Sequence, residues 1–539
     1  TPVEPDTICN NAGHVGLGYV YGDSTHGFDP KTIRDSECVV VWGANPSTSA
    51  PHMHEFWLGE TKAKVIAIDP VRHKTAEQAD IHLQLHPGSD AALAFGLMHI
   101  IRRNGQLDEA FLRDHTVGWE ALEKALAATT PEWTAQATGL PIEAIEEVAG
   151  LYGSGPSLLW LGQGMQRQAR GGNAMRACGM LPAVTGNLAK PGAGIYYLNG
   201  AGPRNIDYDY VEAPQLRSDP LQSISHMELA EVLADPGRSS AFFCWNMNVV
   251  ASAPRQRQLK QALSRDDLFS VVIDLFQTDT ADYGDIVLPA ASFLEFDDLM
   301  VPYFQLYLSA QVKVEDPPGE ALPNSEIFRR LSRAMGYDES ELYESDRAIL
   351  DEVLERTGFG FDFESLARVG TIDPFSEPEI QFADLEFDTP SGRIELASER
   401  ALAAGHPLLP DPAPDPRPSG NELRLLSPAS EWLLNDSYGN DPNIRRTLGE
   451  PRVFLHPDDA ESLGLEDGVR ALLTNETGEL SLEVSISDAV ARGVALAHKG
   501  HWPRLSSERA NVNVLNPGRK SDMGESSSVH STWVRVTAL

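Results

Sequence analysis

The sequence predicts an α/β protein made of two similar parallel-sheet units followed by a C-terminal β-barrel. Three observations predict it. Short apolar strand-like runs alternate with helical patterns through the first half of the chain, which is the signature of βαβ units. One stretch occurs twice: WGANPSTSAP (42–51) and WNMNVVASAP (245–254) share Trp, Asn, Ser, Ala and Pro at the same offsets. Each copy is followed by a second matching block, IDPVRHKTAEQADIHL (68–83) and IDLFQTDTADYGDIVL (273–288). In these blocks Asp69, Thr75, Ala76 and Asp80 align without a gap to Asp274, Thr280, Ala281 and Asp285. Finally, the last part of the chain breaks into short alternating strands separated by Gly, Asn and Asp turns, the pattern of a small barrel.

Taken in order, SECVVVWGAN reads as a buried strand ending in a small-residue turn, then helix-compatible sequence from Met53 to Gly59. AKVIAIDP and IHLQLHPGSD are further strands, the second leading into the amphipathic AALAFGLMHIIRRNG. LDEAFLRDH, GWEALEKALAA and PIEAIEEVAGLYGSG continue as helices, the last stopped by its glycines. PSLLWLGQGM is a strand running into a Gly turn, and NAMRACGMLPAVTGNL reads as one long buried helix. The Gly- and Pro-rich KPGAGIYYLNGAGPRN (190–205) marks a boundary. SSAFFCWNMN opens the second copy, which proceeds through the helix RQRQLKQALS to the strands FSVVID and DIVLPAAS. The stretch from about 300 to 400 is irregular, with short helices such as NSEIFRRLSRAMG, and LLPDPAPDPRPSG (408–420) reads as a structureless linker. The expected domains are 1–200, 201–310, a connecting region 311–407, the linker 408–420, and a barrel over 421–539.

Bulk properties narrow the function. At 539 residues the chain exceeds one hydrophobic core. Its 42% apolar and 22% charged residues are those of an ordinary globular protein. It contains no apolar run of membrane-spanning length and no visible signal peptide; a cytoplasmic location is expected, with the periplasm as the alternative because the parent N-terminus is not seen. The chain opens at Thr1 without an initiator Met, as expected for a processed product or a fragment. A net charge of −35 excludes a nucleic-acid binder, which needs a basic face for phosphate. Cys9, Cys38, Cys178 and Cys244 form no C-x₂-C pair, so this chain alone builds neither a zinc ribbon nor an iron–sulfur cluster. Cys38 and Cys244 sit in or beside apolar strands and are expected to be buried and inert.

The repeat carries chemistry. A strand ending in a small-residue turn, as at Gly43 and Asn45, exposes backbone N–H groups suited to a pyrophosphate. An acid at the end of the following strand, Asp69 or Asp274, stands where an open α/β sheet reads a ribose or base. Thr75 and Thr280, Asp80 and Asp285 are expected to add hydroxyl and carboxylate contacts. In HPGSD, Gly88 permits close backbone approach, and Asp90 is placed to accept from a guanine edge or to cap the next helix. One such unit has an ordinary structural explanation; two in register point to two similar ligands or one ligand with two halves. Neither copy contains G-x-G-x-x-G, which disfavours NAD and FAD.

The series ICNNAGHVGL, VVWGANPSTSAP, AIDPVRHKTAEQADIHLQLHPGSDAAL, LGQGM…AVTGNLAKPGAG, QTDTADYGDIVLPAASFLE and HPDDAESLGLEDGVRALLTNETGEL resembles the molybdopterin oxidoreductases of the dimethyl sulfoxide reductase family. The resemblance covers essentially the whole chain, with the motifs in the family's order. It implies two Rossmann-like domains of the formate dehydrogenase/DMSO reductase type and a six-stranded, ADC-like C-terminal barrel. It implies molybdenum or tungsten held by two molybdopterin guanine dinucleotides, one on each half of the repeat. Gly162, Gln163, Gly164, Asn248 and, in the barrel, Asn513 then join the cofactor-binding set. Cys9 falls at the position of the metal's single protein ligand, as in the Cys and selenocysteine members, where a thiolate suits a soft-ligated metal.

Two departures bear on the reaction. Formate dehydrogenases follow the ligand with His and carry an Arg after the Gly-Lys-Pro-Gly segment; here Asn10 and Asn199 stand at those positions. That disfavours formate, with Arg204 as a substitute guanidinium and Asn10 and Asn11 as donors to a neutral or oxo-type substrate. Arg167 and His498 are further candidates for the substrate funnel. The family's N-terminal segment with its 4Fe–4S cluster is not in this sequence, so an iron–sulfur segment or partner subunit is expected to carry electrons. The expected activity is two-electron oxygen-atom transfer or dehydrogenation on a small substrate, of the kind used in anaerobic respiration. A non-redox hydratase of the same family and a cofactor-free scaffold resembling the large subunit of complex I are the alternatives.

Overall fold

The structure, a computed structural model, describes residues 1–202, 205–217, 222–418 and 420–539. The first unit is a five-stranded parallel sheet. Its strands are β1 (Cys38–Trp42), β2 (Lys64–Ile68), β3 (Ile81–Leu83), β4 (Ser157–Leu161) and β5 (Gly194–Tyr196), in the order β3-β2-β1-β4-β5. Every residue of β1 and β4 is buried, as a parallel strand covered on both faces requires. One face packs on α1 (Asn11–Tyr21), α2 (Asp90–Arg103) and α3 (Gly171–Gly179), in a core that includes Trp42, Ile66, Phe95 and Met175. The predicted long helix after Asn173 is interrupted: α3 stops at Gly179 and a separate turn, Leu181–Val184, follows. Pro182 explains the break, since it removes one ladder donor and crowds the preceding turn.

The second unit repeats the first at smaller scale. Strands β6 (Ala241–Trp245), β7 (Phe269–Asp274) and β8 (Ile286–Pro289) form a parallel sheet in the order β8-β7-β6. The registers correspond: Trp42 pairs with Ile68 in one unit and Trp245 with Ile273 in the other. Residues 298–372 then supply three antiparallel strands and three helices, Asn324–Met335, Asp346–Thr357 and Phe363–Val369.

The C-terminal strands β9 (Glu422–Leu426), β10 (Arg452–Leu455), β11 (Arg470–Thr474), β12 (Glu479–Ile486), β13 (Val494–Leu496) and β14 (Thr532–Ala538) close in the order β9-β13-β10-β12-β11-β14. Closure leaves no free sheet edge, and alternate residues such as Val453, Leu473, Leu482 and Val534 fill the interior.

The Pro-rich segment 408–420 corrects the expectation of a loose linker. Among its described residues it has no regular element, and it is tied down from Asp411 to Asp415. Asp411 exchanges hydrogen bonds with the Asn173 side chain (2.8 and 2.8 Å), and Arg170 donates to the Ala413 carbonyl at 2.6 Å. Asp415 donates its N–H to Gly88 and, buried, pairs at 3.0 Å with Arg424 of the barrel. Arg424 also donates to Gln168 (2.8 Å), and Gln168 donates to Asp90 (2.9 Å). A polar chain thus joins first unit, strap and barrel.

Candidate active site

Three parts of the chain converge on Cys9. The short turn Pro5–Ile8 delivers it to the N-terminus of α1. Gln166 donates to the Cys9 carbonyl, as does Arg167 Nε at 3.2 Å. From the barrel side, Ser527 donates its N–H to the Thr7 carbonyl (2.8 Å), and Asn11 donates its side-chain amide to Gly524 O (2.7 Å). From the second unit, His226 N donates to Thr7 Oγ1 (3.0 Å), and Val3–Glu4 pairs in parallel with Ile224–Ser225. Cys9 is half-buried, held through its own carbonyl by the first unit and through its neighbours by the second unit and the barrel, and its Sγ lies 3.9 Å from Arg167 Nη2. The other three thiols are buried; burial pushes those of Cys38 and Cys244 up to about 12, matching the inert role expected of them.

Asn10 lies at 5% exposure, its Oδ1 without a hydrogen-bond partner. Its carbonyl accepts from Tyr197 OH (2.9 Å), which also reaches Gln163 Oε1 at 3.3 Å. Asn199, by contrast, is spent on structure: it accepts from and donates to the Phe28 backbone (3.2 and 2.9 Å). Asn11 is likewise committed, to Gly524. Arg204 lies outside the described residues. The His498 ring faces the Ala429 carbonyl (3.2 Å) and packs on Phe454. The residue that sequence reasoning missed is its neighbour Lys499. Its ammonium donates to Asn435 Oδ1 (3.0 Å), and its pKa is pushed down to about 7, first by burial and then by the Arg167 charge, against the raising effect of Cys9 and Asp436. A lone Lys on a barrel strand end carries no motif that reveals it.

The two repeat units share one clasp of Asn, Thr and Ser. Thr75 Oγ1 donates to Asn45 Oδ1 (3.1 Å) and accepts from Ser47 N (3.1 Å). Thr280 Oγ1 donates to Asn248 Oδ1 (2.9 Å) and accepts from Val250 N (3.1 Å). Ser49 and Ser252 close the same turn by donating to the Asn45 and Asn248 carbonyls (3.0 and 2.7 Å). This corrects the expectation of open threonine hydroxyls: at 1% and 0% exposure they satisfy the turn that follows each first strand. Asp80 and Asp285 are corrected too. Each accepts from a backbone N–H at the start of a strand, Val65 at 2.9 Å and Ser270 at 2.7 Å. They stand at the sheet's N-terminal edge, opposite to Asp69 and Asp274, and clamp the strands there.

At the C-terminal edge, Asp69 accepts from Val71 N (2.9 Å), and His73 Nε2, which has no hydrogen bond, lies 3.6 Å from its carboxylate. Asp274 accepts from Leu275 N (2.7 Å), and burial raises its pKa. Asp90 is neither an open acceptor nor a helix cap: buried, it accepts from Trp42 Nε1 (2.9 Å) and Gln168 (2.9 Å). Gly43, Gly162 and Gly164 meet at the ends of β1 and β4. Gly162 N donates to Trp42 O (2.7 Å) and Gly164 N to Gly43 O (3.1 Å). A Cβ on Gly162 would lie 2.0 Å from Gly43 O, so only glycine fits. Gly88 is similarly confined by Asp415 and Arg424, at a φ of +85°. Asn513 of the barrel donates to the Ala251 carbonyl (2.8 Å), joining the barrel to the second turn.

A family model described as Molybdopterin oxidoreductase matches residues 12–334, and one described as Molydopterin dinucleotide binding domain matches residues 423–533. The probable oxidoreductase YoaE of Bacillus subtilis is 32% identical over 98% of this chain and 78% of its own length. The F420-dependent formate dehydrogenase 1 subunit alpha of Methanococcus maripaludis is 27% identical over 95% of this chain and 78% of its own length. In fold, the chain matches acetylene hydratase from Pelobacter acetylenicus with a TM-score of 0.81 at 21% identity, covering 99% of this chain and 82% of that one. The chain belongs to the molybdopterin oxidoreductases of the dimethyl sulfoxide reductase family.

Proposed function

We propose that this chain is the catalytic part of a molybdenum or tungsten oxidoreductase in which Cys9 is the metal's one protein ligand. One molybdopterin guanine dinucleotide would be held by each half of the repeat. The observation that carries the reading is the placement of Cys9, a half-buried residue whose carbonyl is held by the first unit and whose neighbours Thr7 and Asn11 are held by the second unit and the barrel.

The residues present fit the group. The donor at the centre is a thiol, the ligand type a soft-ligated metal takes. Beside it, Asn10 Oδ1 is buried without a partner, as is His73 Nε2 next to Asp69; buried polar atoms of this kind are otherwise paired. Gly43, Asn45 and Asp69 would hold one dinucleotide and Asn248 and Asp274 the other, with Gln163 and Asn513 nearer the pterins. Thr75 and Thr280 serve by fixing the two turns, and Gly88, Gly162 and Gly164 by keeping the backbone close.

When bound, such a cofactor supplies two-electron redox chemistry at the metal. This chain's own residues supply the rest. Arg167 puts a positive charge 3.9 Å from the ligand sulfur, Tyr197 and Gln166 hold the ligand backbone, and Asn10 offers a buried amide beside it. No imidazole follows Cys9, and Asn199 is committed to Phe28, so formate is disfavoured. Electrons would leave through a 4Fe–4S-bearing segment or partner.

Metal and nucleotide analysis of the purified holoenzyme tests the reading. It predicts one molybdenum or tungsten and two guanine nucleotides per chain, with Cys9→Ala abolishing viologen-linked turnover while nucleotide content persists. Turnover unchanged in Cys9→Ala, or absence of the metal, contradicts it. Hydration without viologen oxidation or reduction would assign the hydratase alternative instead.

A further inference from the structure

The two sheets of the repeat end differently. In the first, β1 is paired on both sides, with β2 through Trp42 and Ile68 and with β4 through Trp42 and Leu161. Its counterpart β6 pairs with β7 alone, so among the described residues it is a sheet edge. The backbone directions agree. Asn246 N donates to Ile273 O (3.1 Å), and Ser240 O accepts from Phe269 N (3.0 Å). Phe242 and Cys244 therefore bond on that same side, and Ala241, Phe243 and Trp245 turn their N–H and C=O groups to the open edge. In the first unit the corresponding carbonyl, Trp42 O, accepts from Gly162 N at 2.7 Å.

The sheet faces differ at the same place. Val40 and Trp42, on the face packed by α1, α2 and α3, are 2% and 0% exposed, whereas their counterparts Phe243 and Trp245 are 42% and 50% exposed. Phe269 and Ile286 share that face through their register with Ala241 and Val271, and both are exposed. The helix Asn324–Met335 shields only part of it, where Ile327 and Phe328 join Ile273 and Leu288. The opposite face is closed over Phe242 and Cys244. Parallel sheets are ordinarily buried on both faces, and an unpaired apolar edge is a template for a further strand.

We infer that the second sheet is a docking surface for a strand-and-helix segment outside these 539 residues. Its strand adds in parallel to the Ala241–Trp245 edge, and its helix covers Phe243, Trp245, Phe269 and Ile286. The repeat supplies the form of the occupant, since β4 and α2 do these two jobs in the first unit. A second copy of this chain does not match that form. Identical edges related by a two-fold axis pair antiparallel, whereas β1 receives β4 in parallel. The source is polypeptide of the kind by which YoaE exceeds this chain, which spans 78% of that relative. Main-chain bonds along the edge supply affinity, and the apolar side chains fix the register.

The test is co-expression of the full chain with the part of YoaE that it does not match. The readouts are co-purification and hydrogen exchange resolved to single residues, neither of which depends on turnover. The YoaE part should co-purify with the chain. The amides of Ala241, Phe243 and Trp245 should exchange fast in the chain alone and roughly ten-fold or more slower in the complex, while those of Phe242 and Cys244 change little. Phe243→Ser and Phe269→Ser replace exposed side chains and should leave the thermal unfolding of the chain alone nearly unchanged. Each should weaken the complex roughly ten-fold or more, the scale of a lost aromatic anchor. Absence of a complex, a complex that leaves the three amides fast, or full binding by both variants would overturn the inference. So would protection of these amides that rises with concentration in the chain alone, which would assign the edge to a second copy.

Discussion

The paired threonine clasps make a quantitative prediction. Thr75→Val and Thr280→Val each remove a hydroxyl that joins an Asn side chain to a backbone N–H two residues beyond it. Both threonine side chains are buried, so Ser47 N or Val250 N loses its acceptor and the Asn Oδ1 loses one donor; Asn248 and Val250 are buried, whereas Asn45 and Ser47 are half-buried. Leaving such a buried group unpaired costs about 1–3 kcal/mol. At each site the Asn Oδ1 keeps one further donor, Ser47 Oγ at 2.6 Å or the Thr280 N–H at 3.1 Å, so the loss is larger at the second site, which is the more closed to water. Amide hydrogen exchange at Ser47 and Val250 should accelerate by roughly 5- to 150-fold, the equivalent of that energy. Guanine nucleotide retained after gel filtration should fall in both variants, more in Thr280→Val. Unchanged exchange, or a response in one half with none in the other, would refute the claim that the two turns are equivalent devices.

Two further predictions follow from buried polar groups. Asp415→Ala leaves Arg424 buried without its counter-ion (3% exposure; the carboxylate it loses is 5% exposed) and should destabilise the strap by about 3–5 kcal/mol. Limited proteolysis should then cut within residues 408–420 while the barrel stays intact. His530 has its pKa pushed from the ordinary 6.5 down to about 3, first by burial and then by Arg167, Arg424 and Lys499. The unfolded chain therefore binds this proton more readily than the folded one. The neutral ring's contribution to stability is fully present above about pH 6.5 and is lost as pH falls towards 3, amounting to a few kcal/mol, on the order of the linkage value. His530→Gln should flatten the acid limb of the stability profile in that window; an unchanged limb would contradict the assignment.

Much of this was legible in the sequence, and the reasons for the remainder are physical. The strands Cys38–Trp42 and Ala241–Trp245 announce themselves as apolar runs ending in a turn, and the shared Asn, Thr and Ser positions carry the duplication. What the repeat does not reveal is which end of a strand each conserved offset occupies. Asp80 and Asp285 align as well as Asp69 and Asp274 do, yet backbone bonds to Val65 and Ser270 hold them at the opposite edge. Proline spacing correctly excludes regular structure from 408–420, but the bonds that dock it come from Asn173, Arg170 and Arg424, far away in the chain. Cys9 was found through its neighbours in sequence. Lys499 was not, since only the closed barrel brings it near enough to Arg167 for that charge to help lower its pKa.

The central claim is that Cys9 Sγ completes the metal's coordination. X-ray absorption at the metal edge of the holoenzyme tests it directly, comparing the native chain with Cys9→Ser at matched cofactor content. The account predicts one sulfur scatterer fewer and one oxygen more in the variant, with the dithiolene sulfurs unchanged. Identical sulfur shells in the two proteins would contradict it.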